Sequence, residues 1–98
     1  MTVRIPSIST EYARVSITGD VTLSTQTVEL AFMLDRSTEP GSGDWHSATW
    51  LGSSGTTRDA GVLVGPAALV LTGTVYVWFR VTDTPEIPAR YAGTITIT

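Results

Sequence analysis

The stretch from Gly73 to Asp83 constrains the fold of this chain more than any other. It reads Gly-Thr-Val-Tyr-Val-Trp-Phe-Arg-Val-Thr-Asp, and so many β-branched and aromatic residues predict a β-strand. Its side chains alternate with a period of two, so they fall on two opposite faces. The odd-numbered residues form an apolar face, which we call the odd face: Val75, Val77, Phe79 and Val81. The even-numbered residues form a mixed face, the even face: Tyr76, Trp78, Arg80 and Thr82. Because an apolar sheet face must be covered, we expect the odd face to pack against a second layer.

The length of the chain and its lack of cysteine limit which folds can provide that second layer. The chain has 98 residues and no cysteine, which suits one β-sandwich that is held together by hydrophobic burial alone. We therefore expect a single domain over residues 1–98. The segment from Met1 to Ser7 lacks the long apolar run of a signal peptide, and no run reaches membrane-spanning length. The sequence predicts a protein that is made and kept in solution, without a membrane partner.

The charge pattern argues against a nucleic-acid partner. The net charge is -3, and the six basic residues are all arginines scattered among nine carboxylates. A protein that binds phosphates would normally carry a basic stripe. We therefore expect no nucleic acid among the partners.

Alternating apolar residues predict about seven or eight short strands and no helix. Besides the central strand, the predicted strands are Thr2 to Ser9 at a sheet edge, Glu11 to Thr18, Val28 to Asp35, Trp45 to Trp50, Ala60 to Val64, Ala68 to Thr72 and Thr94 to Thr98. The side chains expected inside are Ala13, Val15, Ile17, Val28, Leu30, Phe32, Leu34, Ala48, Trp50, Ile95 and Ile97. Trp50 is expected to occupy the place of the tryptophan that immunoglobulin-like sandwiches bury on their third strand.

The remaining segments are predicted to be turns and loops. Val21 to Leu23 is a short apolar piece after a Gly-Asp turn, and Ser37 to Asp44 is a loop rich in glycine and proline. Leu51 to Asp59 contains Gly-Ser-Ser-Gly and is expected to be an exposed hairpin tip. Two prolines between Asp83 and Pro88 exclude a helix and a central strand there.

The polar residues form no pattern that is typical of catalysis or metal binding. His46 is the single imidazole of the chain, and we expect a rim histidine without a catalytic role. Asp83 and Glu86 could begin a calcium site, but two carboxylates are too few. The other carboxylates considered are expected to be solvated loop residues, namely Asp35, Glu39, Asp44 and Asp59. The sequence therefore predicts a protein that is not an enzyme and has no metal or cofactor.

The even face of the central strand is the most informative surface. Tyr76 and Trp78 are large rings that point away from the predicted core, and Arg80 lies beside them. These residue types are enriched at protein interface hot spots. We expect a protein-docking face here. The alternatives are that a neighbouring segment covers the rings, or that Arg80 stacks on Trp78.

In their order along the chain, several short motifs resemble those of a known group of proteins. The group consists of small proteins encoded among the virion structural genes of tailed phages and prophages of GC-rich actinobacteria. The sharpest motif is Trp-x-Arg-x-Thr-Asp-x-Pro-Glu at Trp78 to Glu86. The others are Thr10-Glu-Tyr12, Val28-Glu-Leu-Ala-Phe32, Asp44-Trp45, Ala48-Thr-Trp50, Leu63-Val-Gly-Pro66 and Ala92-Gly-Thr-Ile95. The resemblance covers nearly the whole chain.

The resemblance implies an immunoglobulin-like antiparallel β-sandwich of about seven to eight strands. It also implies a non-enzymatic role in the virion after assembly in the bacterial cytoplasm. The implied partners are major capsid, portal or connector proteins and copies of the chain itself, in a capsid-decoration or head-to-tail connector role. The contacts would be Tyr76, Trp78 and Arg80, together with edge strands at both ends of the chain. The alternative is a surface-displayed immunoglobulin-like module that binds carbohydrate or a host surface through its aromatic rings.

Overall fold

The described part of the protein is built from strands alone. The computed structural model describes residues 2–18, 26–54, 57–66, 68–82 and 87–98. Within them no helix could span a membrane. The strands are β1 (Thr2–Ile5), β2 (Glu11–Thr18), β3 (Thr27–Met33), β4 (Trp45–Ser47), β5 (Thr49–Ser54), β6 (Thr57–Val64), β7 (Gly73–Thr82) and β8 (Ala89–Ile97).

The strands form two sheets, which confirms the predicted all-β sandwich. The larger sheet has the order β1-β8-β7-β3-β4, and the smaller one has the order β2-β6-β5. The described pairs are antiparallel except β1 with β8, which is parallel. β1 is a sheet edge, as expected, but the expectation of an edge strand at the other end of the chain is wrong, because β8 lies between β1 and β7.

The core lies between the two sheets, and the central strand contributes to it as predicted. Val75, Val77 and Val81 on β7 are buried, and Phe79 packs against the same cluster. Across the core, β2 supplies the buried side chains of Ala13, Val15 and Ile17, also as predicted. The other buried members are Ile5, Val28, Leu30, Ala60, Val64 and Ile95, with Ala48, Trp50 and Ile97 partly buried against them.

The predicted inward position of Leu34 is wrong. Strand β3 ends at Met33, and the side chain of Leu34 is 78 % exposed. The chain turns at Asp35, whose carboxylate accepts hydrogen bonds from the backbone N–H and the hydroxyl of Ser37. The apolar alternation in the sequence thus extends one residue beyond the strand, because the Asp35 turn ends β3 first.

The prediction of one strand from Trp45 to Trp50 is also wrong. The chain changes sheets at Ala48, so β4 lies on the larger sheet and β5 on the smaller one. The backbone N–H of Ala48 donates to the carbonyl of Val28 at 3.0 Å. Trp50 does pack against the core, and its indole N–H donates to the carbonyl of Gln26 at 2.9 Å. This tryptophan therefore belongs to the fifth strand and not to the third.

Two further segments differ from their predicted form. Strand β5 continues to Ser54 and β6 begins at Thr57, so most of the expected hairpin tip between Leu51 and Asp59 is paired strand. The segment 68–72 is not a strand but forms one parallel bridge, between Leu69 and Val64. The predictions for 21–23 and for the carboxylates of Asp83 and Glu86 lie outside the described residues.

Candidate interaction surface

The side of the larger sheet that faces away from the core carries a row of aromatic residues. We call this side the outer face. In the strand register, Ala31 on β3 lies opposite both Trp45 on β4 and Trp78 on β7, and Trp78 lies opposite Tyr91 on β8. Ala31 is 0 % exposed although it points away from the core. Its small side chain lies between two indoles, so the outer face is itself partly packed.

An irregularity in β8 brings Tyr91 onto this face. Val77 pairs with Gly93 while the next residue, Trp78, pairs with Tyr91, so Ala92 has no partner of its own across the strand. This is the arrangement of a β-bulge, in which two residues oppose one. Gly93 has a φ of 138°, which a residue with a side chain adopts only with strain. Without the bulge, the alternation would turn Tyr91 inward.

Arg80 is held on the outer face by two neighbours. Its Nε donates to Oε1 of Glu29 at 2.8 Å, and both side chains are mostly buried. Its guanidinium carbon lies 4.5 Å from the ring centroid of Trp45. Such a cation–π contact is worth about 0.5–2 kcal/mol, depending on desolvation. Arg80 therefore stacks on Trp45. The alternative that it stacks on Trp78 is wrong.

Trp78 lies at the centre of the outer face. Its ring meets Tyr91 edge to face, with the centroids 5.8 Å apart and the planes at 67°. Its indole N–H is buried and has no hydrogen-bond acceptor among the residues that the structure describes. A buried donor without an acceptor costs about 1–3 kcal/mol. The ring is therefore held by packing with its neighbours.

A turn after β3 places a second arginine over the face. The guanidinium carbon of Arg36 lies 5.4 Å from the centroid of the Tyr91 ring. Tyr76 is half-buried, with Met33 and Thr94 as its cross-strand neighbours. The alternative that a neighbouring segment covers Tyr76 and Trp78 stays a prediction, because the ring that Arg36 covers is that of Tyr91.

The turn that presents Arg36 is fixed by Asp35. The Asp35 carboxylate accepts from the backbone N–H of Ser37 at 2.9 Å and from its hydroxyl at 2.8 Å. The backbone N–H of Ser37, followed by its hydroxyl, lowers the pKa of Asp35 below the usual 3.8. The ionised carboxylate is the form that holds the turn together.

Acidification should loosen this turn. Because the pKa of Asp35 is lowered in the folded state, its contribution to stability is present above the unfolded pKa of about 3.9 and is lost as the pH falls through the folded value. We expect the NMR signals of the Tyr91 ring to shift in that acid range as Arg36 leaves the ring. The Asp35→Asn variant is the control, since it removes this titration and keeps the other carboxylates. Tyr91 signals that titrate identically in both proteins would contradict the link.

The polar residues considered for catalysis contact neighbouring residues of the fold. The ring of His46 lies 5.9 Å from that of Phe32. Asp44 accepts from the backbone N–H of Gly41 at 2.8 Å. Asp59 accepts from the hydroxyl of Ser16 at 2.8 Å and pairs with Arg14 at 3.4 Å. No group of three metal-ligating side chains occurs within the described ranges.

Tyr76, Trp78 and Arg80 thus share the outer face, which is where the sequence places them. Their role in docking stays a prediction. The sequence reasoning missed the residues that the other strands bring to them, which are Trp45, Glu29, Arg36 and Tyr91. The glycine inside the pattern Tyr91-Ala-Gly93 was a usable signal, because an isolated glycine in a strand often marks a bulge.

Comparison with known proteins adds no relative. No protein family, curated protein or solved structure matches this chain.

Proposed function

We propose that this protein is a non-enzymatic structural component of a tailed-phage virion, and that its outer face docks onto a capsid or head-to-tail connector protein. The virion assignment is supported by the sequence resemblance. The docking role is supported by one observation: side chains on the outer face are already held in place, since Trp78 packs against Tyr91, and Arg80 stacks on Trp45 and donates to Glu29. Rings and arginines that are fixed before binding lose little entropy when a partner covers them.

The same contacts favour a protein partner over a carbohydrate. A sugar binds aromatic residues by stacking on the open face of a ring. Here Arg80 lies over Trp45 and Arg36 lies over Tyr91, while Trp78 meets Tyr91 edge to face. A protein surface can use the guanidinium groups and the ring edges together, whereas a sugar that stacked on Trp45 or Tyr91 from the side of its arginine would have to displace that arginine.

The open edge of β1 offers a second contact to a neighbouring virion protein. Among the described strands, β1 pairs with β8 alone, so its other side is free to accept a strand. An added strand gains affinity from main-chain hydrogen bonds without needing a pocket. Copies of the chain itself are possible neighbours of this kind.

Removing the central ring of the outer face should abolish docking. We expect Trp78→Ala to reduce the copies of this protein in purified particles by at least about tenfold, because central aromatic residues of interfaces often contribute 2 kcal/mol or more. The measurement is quantitative mass spectrometry of virions assembled with the variant. Thermal unfolding of the isolated variant shows whether the domain still folds.

The matched control is Tyr12→Ala, which removes an exposed ring from the smaller sheet. This variant should enter particles at the wild-type level. A folded Trp78→Ala protein that is incorporated fully would refute the docking role of the outer face. Binding of the wild-type protein to a glycan array, lost in Trp78→Ala, would support the carbohydrate alternative instead.

A further inference from the structure

An apolar pocket opens at the end of the sandwich where β1, β6 and β8 finish. Its volume is about 260 Å³. Ile5, Val64 and Ile97 supply apolar surface from both sheets, while exposed residues including Pro6 and Val70 form the rim. None of the described residues that line it is charged. The pocket therefore suits a neutral apolar group.

An apolar side chain projects from the rim of this pocket. Ile8 is 87 % exposed, although its neighbours Ser7 and Ser9 both line the pocket. The short turn is fixed, because the backbone N–H of Ser9 donates to the carbonyl of Pro6 at 3.0 Å and that of Ser7 donates to the carbonyl of Thr98 at 2.7 Å. Ile8 is therefore held outward, beside a pocket that its own side chain leaves open.

We propose that Ile8 of one copy of the chain inserts into the pocket of a second copy, and that the two copies exchange this contact across a two-fold axis. In a two-fold contact the same patch serves both partners, so a projecting group and a hole must lie side by side. Ile8 and the pocket meet that requirement. The size also fits, because a cavity of about 150 Å³ accepts a six-carbon benzene molecule and the isoleucine side chain has four carbons.

The charge of the chain does not oppose the insertion of Ile8 into this pocket. Each copy carries a net charge of -3, so two copies repel one another in general. The described lining of the pocket is uncharged, so Ile8 can enter it without burying a carboxylate. The proposal concerns a different surface from the outer face, so it does not depend on the proposed virion role.

Sedimentation velocity of the full chain tests the exchange. We expect a weak dimer with a dissociation constant on the order of 0.1 mM, as befits a contact smaller than a standard interface. Ile8→Ser should weaken it about a hundredfold, since two buried isoleucines are lost. The matched control is Ile87→Ser, because Ile87 is also exposed, at 54 %, but lies toward the opposite end of β7 and β8. This control should dimerise like the wild type.

A mixing experiment distinguishes the reciprocal insertion of Ile8 from nonspecific association of the chains. Val70→Asp puts a charge on the rim of the pocket and leaves Ile8 in place, so this variant alone should also be monomeric. Mixed with Ile8→Ser, it can insert its own Ile8 into an intact pocket, and a mixed dimer about tenfold weaker than the wild type should form. The proposal fails if the wild type is monomeric at up to about 1 mM, if Ile8→Ser dimerises normally, or if the mixture shows no dimer.

Discussion

Replacing Gly65 with alanine is expected to lower the free energy of unfolding by about 3 kcal/mol or more, because two separate costs combine. Gly65 has a φ of 123°, where residues with a side chain are strained. An added Cβ would also overlap the carbonyl oxygen of Ser9 and lie 2.9 Å from the Cα of Thr10. Both neighbours are backbone atoms and cannot rotate away. Chemical denaturation of the purified variant measures the loss.

Gly43→Ala is the matched control for this substitution. Gly43 is exposed, and apart from its chain neighbours no atom of the described residues lies within 4 Å of the position of an added Cβ. We expect its free energy of unfolding to stay within about 0.5 kcal/mol of the wild type. Equal stabilities for Gly43→Ala and Gly65→Ala would show that the approach of Ser9 to Gly65 is not required for folding.

The contact at Gly65 matters because it continues the pairing of β2 with β6 in the smaller sheet beyond the ends of both strands. Ser9 lies in the connection from β1 on the larger sheet to β2 on the smaller one, and Gly65 follows β6. The hydroxyl of Thr10 donates to the carbonyl of Pro66 at 3.0 Å, and the N–H of Gly65 donates to the carbonyl of Leu69 at 2.8 Å. This junction forms part of the pocket wall, so Gly65→Ala should also weaken the proposed dimer.

The two faces of the central strand could be predicted from the sequence because alternation reports burial directly. Val75, Val77 and Val81 follow a strict period of two in a segment with few other stable conformations. The same argument predicted the buried face of β2. In these strands the local preference for β-structure agrees with the tertiary environment, so the buried face could be predicted from the sequence alone.

The strand boundaries and the change of sheet could not be predicted in the same way. A residue such as Leu34 extends the apolar pattern, yet the hydrogen bonds of the Asp35 turn decide where β3 ends. Between Trp45 and Trp50 the sequence shows no glycine or proline, so nothing local indicates that the chain crosses from one sheet to the other. That crossing depends on pairing with β3 and β6, which are distant in sequence.

The composition of the outer face depends on cross-strand register, which the sequence leaves open. Tyr76, Trp78 and Arg80 were predictable because they share one strand. Trp45 and Tyr91 come from two other strands, and the position of Tyr91 requires the bulge at Ala92 and Gly93. A shift of one residue in β8 would turn Tyr91 to the opposite face.

Shortening the fully buried Leu30 to alanine is expected to lower the free energy of unfolding by about 3 kcal/mol, within the range of about 2–5 kcal/mol for buried leucines. Leu30 lies on β3 with its cross-strand neighbours Phe79 and His46, and no part of its side chain reaches solvent. The loss combines the transfer of the removed carbons with the cavity that they leave. Denaturant unfolding measures this loss, and we expect the slope of the unfolding free energy against denaturant concentration to be unchanged.

Leu34→Ala makes the same chemical change four residues later and is the matched control. Because its side chain is 78 % exposed, we expect a loss within about 0.5 kcal/mol. The sequence pattern alone assigns both leucines to the core. Comparing the stability losses of Leu30→Ala and Leu34→Ala therefore shows at which residue the alternation no longer corresponds to burial. A loss at Leu34 as large as that at Leu30 would mean that β3 continues past Met33 and that the Asp35 turn does not form in solution. Arg36 would then have no fixed position over Tyr91, and the outer face would lose one of its two stacked arginines.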